Sequence, residues 1–515
     1  MARLLVLALT LCGVFTLAAF TDTFVESLSF ASYFSDHMVL QKSPESAVLW
    51  GYGREGRLVT VSLSGPVHQK TSPATVTGGV WQVTLEPVEA GGPYSVTASV
   101  QGSVLALTLT DVLFGDVWLC GGQSNMAFKT DQIFNASEEL ALAQTYPHVR
   151  PFMASLKMSN TELIDLIQVQ LPWTVPTAGS VAEFSAVCWL FGRYMHDILK
   201  YPVGLVESCW GGTPVEAWSS ARALEKCGLQ QSTDGTSSRK KNAWERNSVL
   251  WNSMIHPLLK MTIKGAIWYQ GESNSMYHQD EYKCSFPAMV DDWRTAFHEG
   301  SGGQTASDFP FGFVQLSTFQ KGSTGDAFPN IRWHQTADMG YVPNPLMPRT
   351  FMAVAMDLPD ETSPFGTIHP RYKRDVAHRL TLGARAVAYN EKNVHFQGPF
   401  PKEILSSGRH VNITYDQTVS VTRSINAFEV CCSGIQAPCG PQSLWVPAPV
   451  KQLSPTTVQL CSIFCPIADK VVAVRYAWRD WPCDFKACSI YSAGGLLPAP
   501  PFLSECCPGN QNHTL

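Results

Sequence analysis

The chain has 515 residues, 45% of them hydrophobic and 15% charged, with a formal net charge of −5. That balance belongs to a folded protein rather than a disordered one, and the length is too great for one ordinary core, so two or three domains are expected. No long block of one charge sign and no basic patch interleaved with aromatics is present, which argues against nucleic acid as a partner.

At the N-terminus Arg3 precedes an apolar run from Leu4 to Phe20, closed by Ala18-Ala19 and followed by polar Thr21-Asp22-Thr23. This reads as a secretory signal peptide over residues 1–23, being short for a membrane span of about 20 residues. No other long apolar stretch follows, so no membrane insertion is expected. Residues 24–110 alternate apolar and polar side chains in short runs, such as Val59–Leu63 and Tyr94–Val100, punctuated by Gly and Pro, and predict a small β-sandwich.

From 111 to 395 the texture changes. Apolar runs at Val112–Leu119, Tyr201–Ser208, Ile263–Gln270, Phe311–Leu316 and Thr350–Met356 predict strands. Longer helical patterns lie at Ala186–Leu199, Asp280–Phe297 and Tyr372–Tyr389. This alternation predicts an α/β domain, a mainly parallel sheet with helices on both faces that binds ligands beyond the carboxyl ends of its strands. The polar stretch Ser232–Lys241 reads as an exposed loop. Residues 396–515 return to β patterning and hold nine cysteines, Cys431 to Cys507. Loss of the leader would remove Cys12 and leave 14 cysteines, an even number in an oxidising route. Disulfides are therefore expected there, and the absence of a C-x-x-C pair argues against zinc. Sequons at Asn135, Asn412 and Asn512 predict surface glycans.

The segment Cys120-Gly121-Gly122-Gln123-Ser124-Asn125-Met126 follows the first apolar run of the α/β region. A serine on a tight turn after a buried strand exposes its hydroxyl at the strand's carboxyl end, beside backbone N–H groups that can hold an oxyanion. Met126 stands where a G-x-S-x-G elbow has its second glycine, which argues against an ordinary α/β-hydrolase. Three more blocks end strands with polar or glycine-rich residues: Ser208-Cys209-Trp210-Gly211-Gly212-Thr213-Pro214, Trp268-Tyr269-Gln270-Gly271-Glu272-Ser273-Asn274, and Asp357-Leu358-Pro359-Asp360 with Ile368-His369-Pro370.

Four blocks supplying Ser, Gly, Asn and His in this order resemble the SGNH hydrolases, whose fold is flavodoxin-like. The match is to their carbohydrate-esterase branch and, within it, to the sialate O-acetylesterase family. It rests on Asp36-His37-Met38-Val39-Leu40-Gln41, G-Q-S-N-M, W-G-G-T-P-V-E-A-W, W-Y-Q-G-E-S-N and the late I-H-P, and spans nearly the whole mature chain. The resemblance implies a serine esterase that removes acetyl groups from O-acetylated sialic acids, without metal or cofactor; the 9-position is the expected target and the 4-position the alternative. It implies attack by Ser124, with His369 as base, and an acetyl-serine that water hydrolyses. It also suggests a lysosomal or secreted hydrolase.

The backbone N–H groups of Ser124 and Gly212 and the side-chain amide of Gln270 or Asn274 are the expected oxyanion donors. The third triad member is open. SGNH enzymes usually place Asp three residues before the His, and here that residue is Gly366. Asp360 ranks first, Asp357 and Glu272 are alternatives, and a Ser–His dyad held by a backbone carbonyl is the remaining arrangement. A sialic acid carboxylate calls for a cation, Arg332 or Arg371, and Trp210, Trp268, Tyr269 and Trp333 are candidates to stack on the sugar. Rival readings are an esterase for another acetylated glycan such as xylan, a catalytically dead carbohydrate-binding protein, and a cysteine hydrolase using Cys209.

Overall fold

One strand, Ala106–Gly122, runs through two parts of the molecule. Its first half pairs antiparallel with Gly91–Val100 and parallel with Val39–Gln41, inside the N-terminal β region. Its second half is the middle of the large sheet, between Val203–Cys209 and Gly265–Tyr269, both parallel to it. The expected boundary at 110/111 thus falls inside a continuous strand. The computed structural model describes residues 27–229 and 242–505, apart from 408, 434–438, 440–442 and 467–468. The expected leader with Cys12, the 232–241 stretch, Asn512, Cys506 and Cys507 lie outside the described residues.

The sheet runs in the order Val169–Leu171, Val149–Ala154, Val203–Cys209, Ala106–Gly122, Gly265–Tyr269, Phe311–Gln315, Thr350–Val354, and is parallel except at its first pair. These strands are apolar because both faces are covered. Side chains alternate across a strand, so Cys120 and Gly121 face opposite sides. Cys120 is disulfide-bonded to Cys188 in the helix Ala186–Leu199. A Cβ at Gly121 would meet the rings of Trp268 and Trp293, the latter on the helix Tyr282–Gly300. The helix Lys373–Val387 packs beside Ala186–Leu199. All three predicted helices and all five predicted strands are present, shifted by a few residues at their ends.

The chain leaves the central strand toward one side of the sheet and later returns to build the other side. This reversal opens a crevice at the carboxyl end of Ala106–Gly122, where such sheets place ligands. The N-terminal β region shares its apolar core with the sheet domain. The C-terminal β region has a core of its own, to which Val354 and Met356 contribute. There Cys431 bonds Cys439, Cys432 bonds Cys465 and Cys483 bonds Cys488, and Cys227–Cys284 ties the α/β domain. Of the sequons, Asn135 is exposed at the start of a short helix and Asn412 is half-buried in a strand.

Candidate active site

The Ser124 turn begins at Gly122, whose φ of +139° is a conformation L side chains rarely adopt. A Cβ there would also sit 2.2 Å from the Tyr269 carbonyl oxygen, so glycine is required twice over. Gln123 N–H donates to Tyr269 O, and the N–H groups of Met126 and Ala127 return to Gln123 O, closing the turn with Ser124 at its tip. Ser124 Oγ lies 2.8 Å from His369 Nε2. Two residues 245 positions apart are therefore within hydrogen-bond reach, as a nucleophile and its base must be.

The other ring nitrogen, Nδ1, lies 2.9 Å from the carbonyl oxygen of Phe365. That contact fixes the tautomer: Nδ1–H donates to the carbonyl, leaving Nε2 to accept from Ser124. Gly366 stands at the position, three before His369, where the SGNH pattern led to the expectation of Asp, and its φ of +87° folds the loop back so that the preceding carbonyl meets the ring. His369 N–H donates to Gly366 O, and Ser363 Oγ donates to His369 O. The Phe128 ring stacks near the imidazole, at 6.4 Å between centroids, and packs edge-on against Phe365. Burial pushes the His369 imidazolium below its ordinary pKa; the Phe365 carbonyl opposes this shift, and the nearby Lys373 ammonium adds to it.

None of the three carboxylates expected to complete a triad touches His369. Asp360 is bound by Arg371, through Nε at 2.7 Å, Nη2 at 2.9 Å and the backbone N–H at 3.1 Å. Asp357 is gripped by Arg379 at 2.6 and 2.8 Å and by the Tyr491 hydroxyl, toward the C-terminal region. Glu272 accepts from Asn125 at 2.6 Å. The arrangement is a Ser–His pair oriented by a backbone carbonyl.

The oxyanion expectation also divides. Gly211 and Gly212 approach the turn: a Cβ on Gly211 would stand 3.3 Å from Ser124 Cβ. Among the described residues the N–H groups of Ser124 and Gly212 donate to no protein acceptor, which leaves both available to an oxyanion. The side-chain amides are not available. Gln270 Nε2 donates to Thr213 O and Asn274 Oδ1, and Asn274 Nδ2 donates to Glu216 and Tyr277 O, both residues being fully buried. They brace the 213–215 loop from behind, since Asn274 Oδ1 also accepts from Val215 N–H.

Four expected substrate contacts are elsewhere. Trp268 and Tyr269 are fully buried, Trp268 packing on Trp218 and Trp293. Strand alternation in a sheet covered on both faces buries them, a fact their residue types do not reveal. Arg332 is fully buried and donates to the carbonyls of Leu316, Ser317, Arg479 and Asp480, joining the α/β domain to the C-terminal region. Trp333 packs on Trp478 in the same junction. Trp210 remains at the crevice, half-buried and stacked on Trp244, and Arg371 lies two residues from His369 with its charge already met by Asp360. Cys209 is buried with Sγ 3.2 Å from Glu207, and burial first, then Glu207, raises its thiol well above the ordinary value. Such a thiol is a poor nucleophile.

Sequence reasoning missed Asn125 and Lys373. Asn125 Nδ2 donates to Glu272 Oε1 and, at 2.9 Å, to Ile368 O, and its Oδ1 accepts from Lys373 Nζ at 2.5 Å. Asn125 neighbours Ser124, and a lysine sits one helical turn after His369; these spacings were the available signals.

Residues 114–363 match the family described as carbohydrate esterase, sialic acid-specific acetylesterase, and residues 402–506 match the sialate O-acetylesterase C-terminal domain. Mouse sialate O-acetylesterase is 49% identical over 92% of this chain and 94% of its own. The human sialate O-acetylesterase is 48% identical over 94% of each. A crystal structure of a carbohydrate acetylesterase from Xanthomonas citri is 29% identical and superposes with a TM-score of 0.77, covering 93% of this chain and 99% of that one. With the Ser–His pair in its crevice and relatives this close over almost their whole length, the chain belongs to the sialate O-acetylesterase family of carbohydrate esterases.

Proposed function

We propose that the protein is a serine esterase that hydrolyses O-acetyl groups on sialic acids, with the 9-O-acetyl group as the first substrate to test and the 4-O-acetyl group as the alternative. The observation that carries the reading is the 2.8 Å contact between Ser124 Oγ and His369 Nε2, in a family of that specificity. His369 takes the Ser124 proton as Oγ attacks the acetyl carbonyl. The Ser124 and Gly212 N–H groups hold the oxyanion, each donor contributing about 2.7–4 kcal/mol to the transition state. The imidazolium returns its proton to the sugar oxygen, and water, deprotonated by the same ring, releases acetate from the acetyl-serine. Among the described residues no carboxylate contacts the ring, and the Phe365 carbonyl is the acceptor that holds its Nδ1–H.

Trp210, stacked on Trp244, offers an aromatic surface beside the crevice for a sugar face, and Arg371 is the cation placed at its rim. Five disulfides among the described residues fit an oxidising compartment, and with the leader they support a secreted or lysosomal enzyme. The test is acetate release from 9-O-acetyl-N-acetylneuraminic acid by wild type and Ser124→Ala, with acetylated xylan alongside. Release from the sialic acid that disappears in the variant supports the proposal. Release from xylan alone would leave the nucleophile standing and replace the substrate, and silence on both by folded protein would favour a carbohydrate-binding role.

A further inference from the structure

Lys373 is the first residue of the helix Lys373–Val387 and is fully buried. Both facts disfavour a cation: burial removes its hydration, and the N-terminal end of a helix is the positive end of the helix dipole. Among the described residues no carboxylate touches it. Its Nζ meets Asn125 Oδ1 and lies over the faces of Phe128 and Tyr269, at 4.8 and 5.1 Å from the ring centres. Asn125 in turn donates from one nitrogen to two oxygens, Glu272 Oε1 and Ile368 O. The chain Lys373–Asn125–Glu272 thus bridges the residue after the nucleophile to the peptide just before the base. Phe128, on which the cation rests, stacks on the imidazole and packs edge-on against Phe365, whose carbonyl holds the ring.

We propose that Lys373, Asn125 and Glu272 are the positioning residues of the Ser–His pair, clamping the His369 loop to the Ser124 turn in place of the triad carboxylate that no described residue supplies. The inference rests on the reading of Ser124 and His369 as nucleophile and base. In a triad the acid both orients the ring and stabilises the imidazolium. Here the two tasks separate. The Phe365 carbonyl orients the ring, the Asn125 bridge fixes where the ring stands, and a buried ammonium near the ring disfavours its protonation.

The charges around the ring agree with this division. Burial lowers the Lys373 ammonium to about 7, opposed by the Glu272 and Asp360 carboxylates, and burial raises Glu272. Arg371 neutralises Asp360 through a two-pronged pair, and Glu272 lies beyond Asn125. Lys373 is the charge that acts on His369, and it favours the neutral ring that serves as base. Such an arrangement keeps the base unprotonated further into the acid range.

The test uses full-length protein and 4-nitrophenyl acetate. Ser124→Ala is run first: persistent hydrolysis by that variant would overturn the underlying reading rather than the clamp. With the nucleophile established, Lys373→Met is expected to lower kcat at least tenfold with KM within twofold. It is also expected to move the acid limb of kcat/KM to higher pH, because the cation opposing protonation is gone. A residue with only a packing role would scale the profile without moving the limb. Asn125→Ala keeps the lysine but removes both the bridge and the acceptor of Lys373 Nζ, and it decides the matter if Lys373→Met does not fold: kcat is expected to fall at least tenfold at unchanged KM. A folded Lys373→Met with a wild-type profile and kcat within twofold, or a folded Asn125→Ala with wild-type kcat, overturns the proposal.

Discussion

Replacing Asp360 by Asn separates a triad acid from a structural carboxylate. The side chain keeps its outline, loses its charge, and turns one oxygen into an amide donor facing Arg371. Oδ2 now accepts from Arg371 Nε and N, and Oδ1 from Nη2. Hydrogen bonds to charged groups are each worth about 1.5–3 kcal/mol. Arg371 retains 20% side-chain exposure and recovers water when released, so the net loss of stability is about 2–3 kcal/mol rather than the sum. Burial alone would raise the Asp360 carboxyl, but Arg371 holds it below its ordinary value. Its stabilising contribution is therefore present above about pH 4 and fades as pH falls through the lowered folded value. The gap in urea stability between wild type and variant should narrow there. No atom of Asp360 hydrogen-bonds His369, so kcat for acetate release should fall less than about tenfold, or about 1.4 kcal/mol. Loss of a true triad acid costs about 10⁴ in kcat. A folded Asp360→Asn that loses a thousandfold or more would refute the carbonyl-oriented pair.

Wild-type kcat/KM should fall on the acid side with a midpoint below about 6.5, the ordinary histidine value, since burial and Lys373 both lower His369; a pH titration showing a midpoint above it contradicts the role of the ring. Gly122→Ala places a Cβ against the Tyr269 carbonyl at a positive φ and should cost about 3 kcal/mol or more, read as a drop in Tm or loss of soluble protein. Gly211→Ala, whose Cβ would crowd Ser124 Cβ, should lower kcat while thermal melting changes little. Removing the Cys120–Cys188 bridge by paired serines should cost about 2–5 kcal/mol in denaturant unfolding, because that bond ties the nucleophile strand to its covering helix.

The strands and helices of the α/β domain were legible because each carries its own periodic signal, and the four strand-end blocks pointed to one crevice. Ser124 and His369 meet as expected. The acid did not, because the sequence shows carboxylates but not their creditors: Arg371 and Arg379 lie 11 and 22 residues from Asp360 and Asp357 and claim them through the fold. Gly366 held the missing information, since a glycine in the acid's place frees a loop to present its carbonyl. Gln270 and Asn274 were misplaced for a related reason. A polar side chain at a strand end serves a ligand or braces the neighbouring loop, and only the count of its partners distinguishes the two. Trp268, Tyr269 and Arg332 show the limit of residue type, because aromatic and guanidinium groups serve cores and junctions as well as sugars.

The continuous Ala106–Gly122 strand sets how this architecture can be divided. The N-terminal β region is not a detachable module, since its edge and the floor beneath the nucleophile are the same ribbon. A chain cut at 110 would start within that ribbon, leaving its upstream partners unpaired and the strand under Ser124 without its anchor. Residues 27–395 should therefore melt as one unit, while the C-terminal region, held by its own core and three disulfides, has the means to unfold separately. Trimming at the first junction would break the ribbon under the nucleophile, and trimming at the second would strip buried Arg332 of the Arg479 and Asp480 carbonyls that hold it.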